Sequence, residues 1–341
     1  MALERPLKLA LITGDPRLPY EYGVDGRFAG EELEAVHQAH DALQSLDGYR
    51  ISLLDDHEHL INALRDDPPD LVLNFCDTGY RNQLRNEINV PALLELLDIP
   101  YTGAGAACMG ICGDKALVRH LALAYGIPVP NETLVDLCAD PLVLPDLYPA
   151  LIKPNAGCGS IGVTPDCVVH DAAEADAWLR VLAADADERP RALIQDFLDG
   201  PEYTLGLVGN PAIGFTVLPV LEIDYSALPP HLPRILSYGS KVDPDSPYWQ
   251  ALRFRPAELA PEVHAQMVQH ATFLFARLGL RDYARIDFRA GSDGVPRMID
   301  ANFNPTWSHD GKMAMMAGWA GHDYPAFLAL ILRAARARYG L

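Results

Sequence analysis

Between Arg285 and Pro305 the chain reads R-I-D-F-R-A-G-S-D-G-V-P-R-M-I-D-A-N-F-N-P, two short apolar runs on either side of Asp293-Gly294. Asp-Gly between such runs is a strong signal for a tight hairpin, because both central positions of a type I′ turn need positive φ. A two-residue loop there pairs Asp287 with Asp300 and Arg285 with Asn302. Side chains alternate along a strand, so all four project from one face. Carboxylates facing each other across a ladder repel, by roughly 0.2–1 kcal/mol even on a surface. A divalent cation between them removes that cost. Two hard carboxylates and an amide oxygen suit Mg²⁺, above all where phosphate oxygens complete the shell. Taken alone, the pair is better served by one exposed aspartate and a turn-capping Asn302, and a loop of odd length would split the group.

The rest of the chain narrows the choice. Its 341 residues allow two or three lobes, each with a core. A net charge of −19 argues against nucleic acid as a partner, since phosphate backbones need a basic surface. No apolar run reaches the roughly 18 residues of a membrane span, and the amino terminus lacks the zones of a signal peptide. The six cysteines form no C-x-x-C pair and read as reduced thiols of a cytoplasmic protein. Lysine is scarce: Lys8, Lys115, Lys153, Lys241 and Lys312 are the whole set. Those inside recognisable motifs therefore attract functional interest.

The first third alternates buried strands (Leu9 to Thr13, Asp70 to Phe75, Ile99 to Thr102) with helical spacing, as at Glu31 to Leu46. This predicts a parallel sheet covered on both faces. Ligands of such sheets sit at the carboxyl ends of strands, here beside the loop C-D-T-G-Y-R-N. Asp77, Arg81 and Arg85 in and after that loop are candidates for binding substrate carboxylate or ammonium groups. A helix capped by Asp114 follows, then a strand L-I-K, a Gly-rich loop, a helix near Ala172 to Ala184 and a strand A-L-I-Q-D-F. The last part is predicted to hold strands at Tyr203 to Val208 and Phe215 to Ile223, an amphipathic helix, the hairpin and a terminal helix. The expected fold is α/β and α+β, with lobes at 1–113, 114–198 and 199–341.

L-I-K-P-N-A-G-C-G-S-I-G-V (Leu151 to Val163) ends a strand in lysine and opens a loop whose N–H groups can cradle phosphate. L-I-Q-D-F-L-D-G-P-E-Y-T-L-G-L (Leu193 to Leu207) joins two strands by a linker whose backbone can meet a base, with Glu202 near ribose hydroxyls. Each motif alone is weak. H-E-H at His57 to His59 reads as a helix start, and Cys108-x-x-x-Cys112 as packing.

In order along the chain, I-P-Y-T-G-A-G, D-K-A-L-V-R, I-K-P-N-A-G-C-G-S-I-G-V, P-E-Y-T-L-G, S-K-V-D-P-D-S-P-Y, A-R-I-D-F-R and I-D-A-N-F-N-P resemble the ATP-grasp superfamily, in its D-alanine–D-alanine ligase-like branch. The resemblance runs from about residue 70 to the end. It implies a three-lobed ATP-grasp architecture with an N-terminal Rossmann-like parallel α/β lobe. It further implies ATP-dependent, ADP-forming joining of a small-molecule carboxylate to an amine through an acyl phosphate. By matching position, Lys115 and Lys153 would contact ATP phosphates, and Ser160 would sit in the closing phosphate loop. Gln195, Phe197 and Leu198 would line the adenine pocket, and Glu202 would bind the ribose. Lys241 would meet the γ-phosphate, and Asp287, Asp300 and Asn302 would carry two Mg²⁺ ions, with Mn²⁺ an acceptable substitute. Arg285 would polarise the acyl group, and a homodimer is expected by likeness alone.

The chain departs from that pattern where substrate is read. Asp300 stands where Glu is usual, Gln195 replaces a Glu, and Thr306-Trp307 follows N-F-N-P in place of Gly. H-D-G-K follows, where a hydroxyl-rich segment is usual. Trp307 could wall a substrate pocket, and His309 with Asp310 could move a proton. The alternatives are a D-alanine–D-alanine ligase proper and a Mg-ATP-binding module without ligase activity.

Overall fold

The computed structural model describes residues 5–341 apart from 21, 24, 25, 29, 140, 158–161 and 185–190. In the amino-terminal part, strand β1 (Leu7–Ile12) is followed by helix α1 (Glu31–Gln44), β2 (Tyr49–Leu54), α2 (Leu60–Asp66) and β3 (Leu71–Asn74). The strands form a parallel sheet in the order β2-β1-β3. Every residue of β3 is buried, as expected of a strand covered on both faces. The predicted strand at Ile99 to Thr102 shrinks to one bridge, Val72 to Tyr101. Pro100 has no N–H to donate, and the chain turns away at Gly103 with φ 83°.

Helices α3 (Asn89–Leu96), α4 (Ala106–Cys112) and α5 (Lys115–Ala124) lead to the central sheet. The Asp114 carboxylate caps α5 by accepting from Leu117 N at 3.0 Å. Strands β4 (Glu132–Asp136), β5 (Ala150–Pro154), β6 (Val168–Val169) and β7 (Arg191–Asp196) are antiparallel in the order β4-β7-β5-β6. Helix α6 (Ala172–Ala184) covers one face, packing Ala175 and Leu179 on Val135, Ile152 and Ile194. Alternation turns Glu132, Lys153 and Gln195 to the opposite face.

The carboxyl-terminal sheet contains β8 (Glu202–Asn210), β9 (Gly214–Val217), β10 (Leu221–Asp224), β11 (Arg253–Pro256), β12 (Tyr283–Ala290) and β13 (Pro296–Asn302). It is antiparallel in the order β11-β10-β8-β12-β13, with β9 beside β8. The segment predicted as one strand, Phe215 to Ile223, is thus two. Short helices α7 (Gly239–Val242) and α8 (Pro247–Ala251) precede the long α9 (Pro261–Leu278); α10 (Lys312–Trp319) and α11 (Tyr324–Tyr339) end the chain. Met267, Ala271, Leu274 and Phe275 of α9 pack on Leu205, Ile286, Phe288 and Met298, which buries one face of the sheet. Gly206 lies on the other face, where a Cβ would come within 2.9 Å of Met313 Sδ. Its missing side chain lets α10 approach the sheet closely.

Asp282 ties the first and last parts together. Fully buried and with φ 63°, it accepts from Gly103 N at 2.9 Å, Asn210 Nδ2 at 2.9 Å, and Arg338 Nε and Nη2 at 3.0 and 2.6 Å. Asn tolerates this left-handed backbone but brings no charge. Asp282→Asn is therefore expected to destabilise the fold by about 2–3 kcal/mol, measured by urea denaturation.

Candidate active site

The hairpin brings its acids together by a route other than the predicted one. Asp287 does face Asp300, and Arg285 faces Asn302. The loop, however, is five residues long, because Ala290 pairs with Pro296. Gly291 O accepts from Gly294 N at 3.0 Å, and Gly294 has φ 73°. An odd loop should have slipped the register. A β-bulge between Asp287 and Phe288 absorbs the extra residue on β13, so Met298 returns to the core face opposite Phe288. The two-residue loop is thus corrected, while the pairing of the acids stands.

Strand pairing extends this face across three strands. Thr204 of β8 is paired with Asp287, Gly206 with Arg285, and Glu202 with Arg289. Asp287 accepts from Arg285 Nε and Nη2, both at 3.0 Å, from Thr204 Oγ1 at 2.9 Å and from Asn302 Nδ2 at 2.9 Å. Burial would push its carboxyl up, but Arg285 and Lys312 outweigh that and hold it below the usual range.

Cations from three elements converge here. Lys153 projects from the central sheet, and its ammonium is pushed down to about 7 by burial and then by Arg119, with Asp300 opposing. Lys312, at the first turn of α10, falls to about 8 through burial and Arg285, while Asp287 and Glu202 oppose the shift. Its ammonium lies 5.3 Å from the centre of the Phe254 ring. Lys241 of α7 is lowered to about 7 by the protein crowded around it, then by Lys312 and Arg285. Its side chain is nevertheless exposed, so the repulsion of like charges is the firmer cause. Lys115 reaches back to the carbonyl of Gly157.

Beneath this cluster Arg119 is buried, paired with Glu132 and donating to Ile299 O at 3.1 Å. Gln195 also donates to Glu132, at 2.9 Å, so its side chain is held inside the central lobe's inner face. Phe197 and Leu198 lie in the linker, with the Arg289 guanidinium 5.3 Å from the Phe197 ring centre. Glu202 is buried and accepts from Arg289 at 3.0 Å and Tyr225 at 2.8 Å. Ser160 lies outside the described residues.

The candidates for reading substrate are more scattered. Trp307 is buried and stacks on Phe75 at 4.7 Å, closing the contact between first and last lobes. Asp77, near it, is raised to about 6 by burial, with the Trp307 indole N–H opposing the shift. Arg81, Arg85, Thr306 and His309 are exposed; His309 sits edge-on to Tyr324 at 6.2 Å. Of the H-E-H motif, His57 is buried: its Nε2 meets Thr13 O at 2.8 Å and its Nδ1 accepts from Arg81 N at 2.7 Å. That ring braces the loop of Asp77.

Three residues of this region were given no role in the sequence. Lysine scarcity pointed to Lys312, and strand alternation along R-I-D-F-R pointed to Arg289. Nothing local pointed to Glu87, buried and accepting from Asn304 Nδ2 at 2.9 Å.

The sequence model of the D-ala D-ala ligase C-terminus family matches residues 141–333, more than half of the chain. The chain belongs to that family. It is an ATP-grasp protein, an ATP-dependent and ADP-forming carboxylate–amine ligase. Among relatives, an uncharacterized protein of Sinorhizobium fredii, y4sG, is 27% identical over 92% of this chain and 89% of its own length. A D-alanine–D-alanine ligase of the same organism is 26% identical over 84% and 87%. The D-alanine–D-alanine ligase of Bacillus anthracis, solved with ATP, superposes with a TM-score of 0.72 at 22% identity, covering 98% of this chain and 99% of that one. No helix among the described residues of this ATP-grasp ligase is long and apolar enough to cross a membrane.

Proposed function

We propose that the ligase holds ATP between its central and last lobes, activates an amino acid or small peptide as an acyl phosphate, and joins it to an amine. The observation that supports this best is the single sheet face carrying Arg285, Asp287, Asp300 and Asn302, met from two sides by Lys153, Lys241 and Lys312. In this reading Lys115, Lys153, Lys241 and Ser160 hold phosphates, Gln195, Phe197 and Leu198 border the adenine, and Glu202 holds the ribose. The lobes divide at 1–113, 114–198 and 199–341.

Asp287, Asp300 and Asn302 present only hard oxygen donors, and Asp287 is kept ionised, so this set fits Mg²⁺. They would hold the ions, releasing Asp287 from part of its pairing with Arg285. When bound, Mg²⁺ supplies charge neutralisation to the triphosphate. The chain's own groups do the rest. The ammonium groups stabilise charge on the phosphoryl group as the carboxylate oxygen attacks the γ-phosphorus and ADP leaves. The neutral amine then adds to the acyl carbon and Arg285 donates to the developing oxyanion. The amide forms as phosphate departs and the proton lost from nitrogen passes to phosphate or water.

Thr306, Trp307 and Lys312 favour a substrate pair other than two D-alanines. The enzyme works in the cytoplasm and as a homodimer on the strength of family likeness. The test is ADP release with a mixed amino-acid pool, followed by mass spectrometry of the product. A Lys153→Ala variant should lose about 10²–10³-fold in turnover. ATP binding without product or ADP from any pool would favour the non-catalytic alternative.

A further inference from the structure

Arg289 lies on the site face of β12, paired across the ladder with Glu202. Only 6% of it is exposed, and its guanidinium is held between the Phe197 and Tyr225 rings, 5.3 and 5.7 Å from their centres. Nη1 donates to Glu202 Oε2 at 3.0 Å. Nε and Nη2, which together form the side-on fork of the guanidinium, have no partner among the described residues although both atoms are buried. Leaving such donors unmade costs free energy, so their arrangement calls for a ligand with two neighbouring acceptors. Glu202 is arranged in the complementary way: Oε2 accepts from Arg289 and from Tyr225, and Oε1 from no described residue.

We infer that Arg289 is a specificity-determining residue that, with Glu202, clamps the vicinal hydroxyls of the ATP ribose. This rests on the ATP site proposed above. Each hydroxyl has one proton to donate and lone pairs to accept. A carboxylate alone can only take the protons, whereas the arginine fork satisfies the lone pairs. A phosphate would also fit a fork. Arg289, however, stands two residues along β12 from Asp287, roughly 7 Å towards the linker of Phe197 that borders the adenine in the proposed ATP site. The two ring contacts and the Glu202 bond hold the guanidinium in place before nucleotide arrives.

The test measures affinities of the full chain for ATP, 2′-deoxyATP, 3′-deoxyATP and GTP with Mg²⁺, by calorimetry. Wild type should bind each deoxynucleotide about 3–10-fold more weakly than ATP, and Arg289→Met should reduce that ratio by a similar factor. Arg289→Lys keeps the charge against Glu202 but not the fork, and should also lose discrimination while folding normally. If both variants weaken ATP and the two deoxynucleotides equally, Arg289 only neutralises Glu202 and the inference is overturned. A change in ATP-to-GTP preference with unchanged deoxynucleotide ratios overturns it too, in favour of base reading. Wild-type protein that binds no ATP overturns the underlying ATP site instead, a result distinguishable from either.

Discussion

Asp287→Asn is expected to lower ligase turnover by about 10²–10³-fold or more, the scale of losing one charged group that faces developing transition-state charge. Asp287 is the point where the site's interactions cross: Arg285, Thr204 and Asn302 all donate to it. The Asn side chain has nearly the same shape but offers one oxygen, no charge and an N–H₂ facing other donors. The variant also leaves Arg285 without its ion pair, so folding must be checked by thermal denaturation. Asp300→Asn provides the control, because Asp300 makes no ion pair among the described residues. Both variants should stay folded and both should lose turnover. Turnover within about threefold of wild type in both would remove the basis for an acid pair that serves the reaction.

Glu87→Gln is expected to raise stability, and to do so increasingly with pH. Glu87 is buried at the contact between first and last lobes, with Asn304 as its hydrogen-bond donor and Tyr283 donating to the other side of Asn304 at 2.7 Å. Burial pushes its carboxyl up to about 8; Asp77 adds to the shift and Asn304 opposes it. The unfolded chain ionises near the ordinary glutamate value, about 4.3. Below that pH both states carry the proton and Glu87 contributes nothing to pH dependence. As pH rises towards 8 the unfolded state releases its proton while the folded state retains it, so stability declines. Above 8 the whole penalty is present, at most about 5 kcal/mol on this shift. Gln keeps a carbonyl for Asn304 and never ionises. Urea denaturation between pH 5 and 9 should show a gap between variant and wild type that opens over this window. Parallel curves would mean that Glu87 is ionised, and already compensated, in the folded protein.

Sequence carried the local part of this protein a long way. The parallel first lobe, the Asp114 cap, the span of α6 and the buried stripe of α9 all follow from periodicity and capping, which depend on neighbours a few residues apart. The same alternation put Asp287, Asp300 and Asn302 on one face. It did so through the wrong loop. Turn propensity favours two residues at Asp293-Gly294, and the bulge that restores the register is set by packing Phe288 and Met298 into the core.

What tertiary structure alone decided is which distant groups meet. Lys312 reaches the acid face because Gly206 admits α10, over a hundred residues away in the chain. Glu87 is kept from ionising by its burial beneath an asparagine from beyond the hairpin, and Trp307 turns inward to stack on Phe75. Arg289 has two idle donors only because the Phe197 and Tyr225 rings and Glu202 enclose it. Dielectric environment and unmet hydrogen bonds belong to the packed interior. A linear order of residues specifies which strands and helices can form; the charges and donors a site presents exist only once those elements have excluded water from one another.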